Sequence, residues 1–126
     1  MRLLGIDYGS KKVGLALTDE SGTMAFPHSV VPNTVALLKT VESLIAKERV
    51  AEIVLGYSLG RDGTPNKIHA AAADFMLDLT LATGLPVHLQ PEQYSTQAAI
   101  RLQGKTAMTD AAAAALILDS YLTKRK

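Results

Sequence analysis

The 126-residue chain contains no cysteine. That excludes a disulfide framework, a thiolate metal site and a thiol nucleophile, and leaves stability to packing. It also suits a reducing cytoplasm. Excess charge of one sign is missing too: the formal net charge is +1, without the basic surplus of many nucleic-acid binders, so composition by itself names no polyanionic partner. Long hydrophobic runs are absent. The opening Met1-Arg2-Leu3-Leu4-Gly5-Ile6-Asp7 places an acid and a glycine where a signal peptide needs a longer apolar stretch, and no later run reaches transmembrane length. A soluble cytoplasmic protein without membrane contact is expected. No internal repeat or linker interrupts the chain, and the run Ala111–Ala115 reads as a tightly packing helix segment. With 48% hydrophobic residues, the length fits a single domain over residues 1–126.

What is present is a change of period along the chain. Leu3 to Ile6 is a short apolar run, and Val13, Leu15 and Leu17 alternate with Gly14, Ala16 and Thr18, with a turn at Tyr8-Gly9-Ser10-Lys11 between them. A second turn at Asp19-Glu20-Ser21-Gly22 leads to a strand over Thr23–Val31, which Pro27 assigns to a sheet edge because it lacks a ladder donor. From Asn33 the spacing becomes helical: Val35, Leu38, Val41, Leu44, Ile45 and Glu48 follow it, with Asn33 or Thr34 as cap. Ile53-Val54-Leu55 then reads as a buried parallel strand ending at Gly56. A helix follows, with Pro65 in its first turn, an apolar face of Ile68, Ala72, Phe75, Leu79 and Ala82, and Gly84 as its stop. Pro86 to Gln90 is the last strand. Thr96–Gln103 reads as a short helix, and Thr109 caps a final one whose inner face is Ala111, Ala115, Leu118 and Leu122. The sum is an α/β fold of order βββαβαβαα: one five-stranded mixed sheet flanked by helices.

Acids recur where this topology brings chain ends together. Asp7 closes a buried strand, where Asp and Gly are poor residues without a special reason. Glu92 follows the last strand at the same edge, because parallel strands of an α/β unit align their C-terminal ends. Asp110 sits in the first turn of the last helix. Each has a plain structural reading as well: a turn Asp, a solvated loop Glu, an Asp facing the helix dipole. Their convergence favours chemistry, since clustered carboxylates repel unless a divalent cation occupies the gap. Hard oxygen ligands suit Mg²⁺ or Mn²⁺, and a pair of such ions can clamp a phosphodiester for hydrolysis without a covalent intermediate.

The segment Gly5-Ile6-Asp7-Tyr8-Gly9-Ser10-Lys11-Lys12-Val13-Gly14-Leu15-Ala16 resembles the opening signature of the YqgF family of Holliday junction resolvase-like and ribosomal RNA precursor nucleases. Later blocks match in order: Ile53-Val54-Leu55-Gly56 with Asp62-Gly63-Thr64, Glu92 before Ser95-Thr96 and Ala98, and Asp110-Ala111 through Ile117-Leu118 and Tyr121-Leu122. The resemblance spans nearly the whole chain and implies a ribonuclease H-like fold, with Asp7, Glu92 and Asp110 as metal-binding acids. Two departures stand out. Pro91-Glu92-Gln93 replaces the usual Asp-Glu-Arg, and Ser58 stands where Pro is common. A neutral Gln93 lacks the charged fork that a guanidinium offers a phosphate.

Lys11 and Lys12, on the first hairpin, and Arg61, on the loop after the fourth strand, are candidate phosphate contacts, with solvated turn residues as the alternative. Lys124-Arg125-Lys126 reads as a basic end complementing its own helix dipole. No His–acid pair turns Ser95 or Thr96 into a nucleophile. The leading expectation is a metal-dependent nuclease acting as monomer or homodimer on structured RNA, such as precursor 16S ribosomal RNA, or on branched DNA. Alternatives are a nucleic-acid-binding module whose chemistry has decayed, motivated by Gln93, and an actin-like or sugar-kinase-like nucleotide binder, whose first phosphate loop also follows an Asp-x-Gly hairpin. The second alternative needs two lobes, and this chain supplies about one.

Overall fold

The computed structural model describes residues 1–9, 11–58, 67–92 and 109–125. Five strands run in chain order: β1 (Arg2–Tyr8), β2 (Lys12–Thr18), β3 (Ala25–Pro32), β4 (Val50–Ser58) and β5 (Val87–Glu92). Among the described residues three helices accompany them: α1 (Leu37–Glu48), α2 (Lys67–Thr83) and α3 (Thr109–Arg125). The sheet order is β3-β2-β1-β4-β5, antiparallel between β1, β2 and β3 and parallel from β1 through β4 to β5. This is the expected mixed sheet, with β3 outermost and Pro27 on that edge strand opposite Ala16. The short helix expected at Thr96–Gln103 lies outside the described residues.

Period-two alternation splits the apolar residues of β1 between two layers. Leu4 and Ile6 join Val13, Leu15, Leu17, Ile53 and Leu55 in a core covered by Leu37, Val41 and Ile45 of α1 and Ala72, Phe75 and Leu79 of α2. On the other face Leu3, Ala16 and Val54 meet Ala114, Ile117, Leu118 and Leu122 of α3. Among the described residues one helix, α3, covers the second face. It sits unusually close: a Cβ on Gly5 would lie 2.5 Å from Leu118 Cγ and 2.8 Å from the Ala114 carbonyl oxygen. Farther along α3, Tyr121 stacks on His88 of β5 with ring centroids 5.0 Å apart.

Several local expectations shift. Helix α1 begins at Leu37 behind Ala36 with no side-chain cap, so neither Asn33 nor Thr34 caps it. Val35 falls before the helix and is fully exposed, and Leu37 takes the buried position instead. Ala82, in the last turn of α2, is exposed and does not extend that helix's apolar face. Strand β4 runs through Gly56 to Ser58, and β5 extends to Glu92, which is therefore a strand residue and not a loop residue. The third strand starts at Ala25, since the preceding turn is longer than four residues. Asp19 organises it: its Oδ1 accepts from the Thr23 N–H at 2.9 Å and the Met24 N–H at 3.4 Å, while Gly22, at φ 72°, donates to the Asp19 carbonyl at 3.0 Å. The Thr23 backbone bond is the main reason the Asp19 carboxyl drops from 3.8 to about 2. Gly84, at φ 71°, ends α2 as expected, donating to the Thr80 carbonyl at 2.9 Å.

Gly5→Ala has no room for its methyl and should cost about 1–3 kcal/mol by urea unfolding, as overpacked core positions do; an unchanged midpoint would mean that α3 gives way freely. The lowered pKa of Asp19 adds stability that is complete above the unfolded value near 3.8 and is lost as pH falls toward 2. Asp19→Asn should therefore flatten the decline in melting temperature between pH 4 and pH 2 relative to the parent chain, measured by circular dichroism.

Candidate metal and nucleic-acid site

Asp7 is 8% exposed and sits one residue before the end of β1. By alternation it shares the α3 face with Leu3 and Gly5. Its lateral neighbours are glycines on both sides: Gly14 on β2 and Gly56 on β4. The next position on the same face along β1 is also a glycine, Gly5, and Gly9 follows just beyond the strand. Of these four, Gly5 is filled by α3, and Gly9 is held where a Cβ would meet the Lys12 carbonyl oxygen at 2.5 Å. Gly14 and Gly56 contribute no side chains to the row through Asp7. A glycine inside a strand marks close approach of backbone or ligand, and here two of them border one carboxylate.

Register then relates the other acids to Asp7. Val54 pairs with His88, Gly56 with Gln90 and Ser58 with Glu92, so position 92 falls on the face that His88 and Val54 share with α3. It lies two strands from β1, about 10 Å laterally, with only the glycine-bearing strand β4 between. Asp110 is the second residue of α3. It stands one helical turn, about 5.4 Å, before Ala114. Asp7 stands about 6.6 Å along the strand from Gly5, which Ala114 touches. Positions 7, 92 and 110 are therefore on one side of the sheet. The side chains of Glu92 and Asp110 lie outside the described part, and among the described residues no three acids or histidines form a metal-sized group.

Of the proposed phosphate contacts, Lys11 and Lys12 are both exposed. Lys12 belongs to the same strand face as Gly14 and Ala16, hence to the face of Asp7, and it is diagonal to Asp7 across the β1–β2 pair. Such diagonal neighbours stand about 7 Å apart. Lys11 lies in the connection between the strands. Arg61 and Gln93 are outside the described residues. Neither of two sizeable clefts includes Asp7: one, of 410 Å³, lies at the opposite end of the sheet by Arg2 and Arg49, and one, of 460 Å³, lies between α1 and α2 beside Tyr8 and Phe75. Among the described residues no helix is long and apolar enough to cross a membrane.

The glycines at 14 and 56 are visible in the sequence as irregularities within strands, but their meeting across Asp7 depends on register. Asn33, expected as a helix cap, instead reaches back to this hairpin.

Known proteins share this fold. A relative from Anaplasma marginale bearing the name pre-16S rRNA nuclease is 33% identical over 99% of this chain and 86% of its own. Thermus thermophilus RuvC, solved in complex with a Holliday junction substrate, superposes with a TM-score of 0.63 at 18% identity, covering 99% of this chain and 96% of that one. A Thermus thermophilus ROK hexokinase also superposes, with a TM-score of 0.52 at 24% identity, over 85% of this chain but 39% of the kinase. The family model described as RuvX, Holliday junction resolvase, matches residues 1–124, and the chain belongs to that family, also called YqgF, of ribonuclease H-like nucleases.

Proposed function

We propose that this nuclease hydrolyses the phosphodiester backbone of structured RNA, foremost the ribosomal RNA precursor named by its relatives, and of branched DNA, using Asp7, Glu92 and Asp110 as metal ligands. The observation that carries the proposal is the register around Asp7, a buried carboxylate bordered by Gly14 and Gly56 on the face that also holds positions 92 and 110.

The donor set fits the ions. Carboxylate oxygens are hard ligands, suited to a pair of Mg²⁺ or Mn²⁺ ions. Bound there, the pair would activate water and offset charge on the leaving oxygen. The chain's own residues do the rest. Asp7, near the end of the central strand and paired on both sides, sits on backbone with little freedom to move before substrate arrives. Gly14 and Gly56 bring no competing side chain to the row through Asp7. Lys12, diagonal to Asp7 on the same face, meets a phosphate next to the cleaved one, with Lys11 and Arg61 as further contacts, and holds the strand by charge.

The nucleotide-binder reading has a specific observation behind it in the hexokinase superposition, yet that match reaches only 39% of the kinase. Cutting an RNA precursor needs one site, whereas symmetric resolution of a junction needs two, presented by a homodimer; solution mass measured on each substrate separates these cases.

Asp7→Asn should retain the fold and lose several kcal/mol of transition-state stabilisation, so that metal-dependent cleavage of precursor ribosomal RNA or a four-way junction falls about a thousandfold. EDTA should do the same to the parent chain. Retained junction binding with no turnover in the parent would instead select the decayed module. Lys12→Ala should flatten the dependence of log affinity on log salt by about 0.7–0.9, the contribution of one phosphate contact, and an unaltered slope would remove Lys12 from the interface.

A further inference from the structure

The connection between β1 and β2 has only three residues, Gly9 to Lys11, and it carries one proposed phosphate contact and leads straight into the other. The ladder between the two strands reaches as far as the Tyr8–Val13 pair. Beyond that pair, Asn33 ties the two stems from the β3 side. Its backbone N–H donates to the Lys11 carbonyl at 2.9 Å, extending the β2–β3 ladder one step beyond the Lys12–Pro32 pair. Its side-chain Nδ2 donates to the Gly9 carbonyl at 2.8 Å, on the β1 side of the same turn. One half-buried residue thus joins the entering and leaving strands, two residues beyond Asp7 on one side and one residue before Lys12 on the other.

From this clamp we infer that Asn33 is a positioning residue for nucleic-acid binding, setting where Lys11 and Lys12 stand relative to Asp7. The inference rests on the reading of Lys11 and Lys12 as phosphate contacts. The chemistry of the amide suits this role, because a neutral donor satisfies the Gly9 carbonyl without adding charge beside a polyanion. Tight closure makes the donor's placement matter, because the Gly9 backbone is packed against the Lys12 carbonyl too closely for a Cβ. Release of the side-chain bond leaves Gly9 untied from the β3 side, and the lysines then sample positions off the phosphate path. Such a loss acts on ground-state binding, hence on KM, while the ligands on β1, β5 and α3 remain in place.

The test uses the full chain with Mg²⁺ and a labelled precursor RNA or four-way junction, comparing the parent with Asn33→Ala, Asn33→Asp, Lys11→Ala/Lys12→Ala and the combination of Asn33→Ala with both lysine changes. Asn33→Asp keeps the shape and the backbone bond but puts an acceptor against the Gly9 carbonyl. Asn33→Ala should raise KM about tenfold with kcat within about threefold, and should flatten the salt dependence of binding. In the background lacking both lysines, Asn33→Ala should have almost no further effect on KM, since coupled residues are not additive. Full additivity with the lysine changes, or unaltered KM and salt slope in both folded Asn33 variants, overturns the inference. Should the Asn33 variants prove unfolded, hydrogen exchange of the Asn33 backbone amide in the parent, with and without substrate, replaces them: protection no stronger than that of the exposed Val35 amide overturns the clamp. If the lysine pair itself leaves affinity and salt slope unchanged, the phosphate reading fails, and the Asn33 inference falls with it for that separate reason.

Discussion

The contact between Gly5 and the Ala114–Leu118 turn governs the functional half of this molecule. A strand and a helix normally keep side chains between them, and here β1 has none at the crossing point, so Leu118 and the Ala114 carbonyl fill the place a Cβ would take. That fixes the depth of α3 and its position along β1. Small residues on the helix side make the match possible: Ala111, Ala112, Ala113 and Ala114 are all buried. Large side chains in that run would lift the helix and carry Asp110 away from the sheet. The stacking of Tyr121 on His88 anchors the other end of α3 to β5, the strand that carries Glu92. Position along one helix is thereby coupled to two strands that each bear an acid.

Glycine has a second use around Asp7. Strand interiors disfavour glycine because it adds backbone entropy and contributes no packing. At Gly14 and Gly56 that loss is spread over two strands, and the ladders on either side remain continuous, Ile6 with Leu15 and Leu55, Tyr8 with Val13 and Tyr57. The sheet keeps its hydrogen bonds and gives up only side-chain volume, on the row through Asp7. The opposite face of the same strands is filled by Ile6, Val13, Leu15 and Leu55. Stability and access are separated by the pleat of a single strand.

This separation also explains which features are legible in the sequence. Elements with a clear period are: the alternation Val13, Leu15, Leu17, the apolar spacing of Ala72, Phe75 and Leu79, the stop at Gly84 and the edge assignment of Pro27 all appear in the structure, because each is decided by residues adjacent in the chain. Boundaries near the site are less legible. Gly56 has the form of a strand end, and Glu92 that of the loop beyond one, yet β4 and β5 continue through both. Pairing with neighbouring strands supplies partners for backbone that local propensity disfavours. Asn33 departs from its local reading for a related reason. As the first polar residue before a helical pattern it has the form of a cap, but the Gly9 carbonyl, twenty-four residues away in sequence, takes its amide first. Only tertiary placement reveals that competitor.

The same asymmetry bears on how the site works. Asp7 is the acid whose surroundings local sequence describes best, and it is also the one most rigidly held, within a central strand paired on both sides. Position 92 is on an edge strand and position 110 in the first turn of a helix, where half of the backbone groups lack ladder or helical partners. The three acids of the proposed site thus stand on one central strand and on two elements with more freedom. Were the proposed ions bound there, small changes in their separation would be taken up at positions 92 and 110, while Asp7 keeps its register. Gly14 and Gly56 bring no side chain to the row through Asp7, so what that row meets is independent of the filled core on the opposite face.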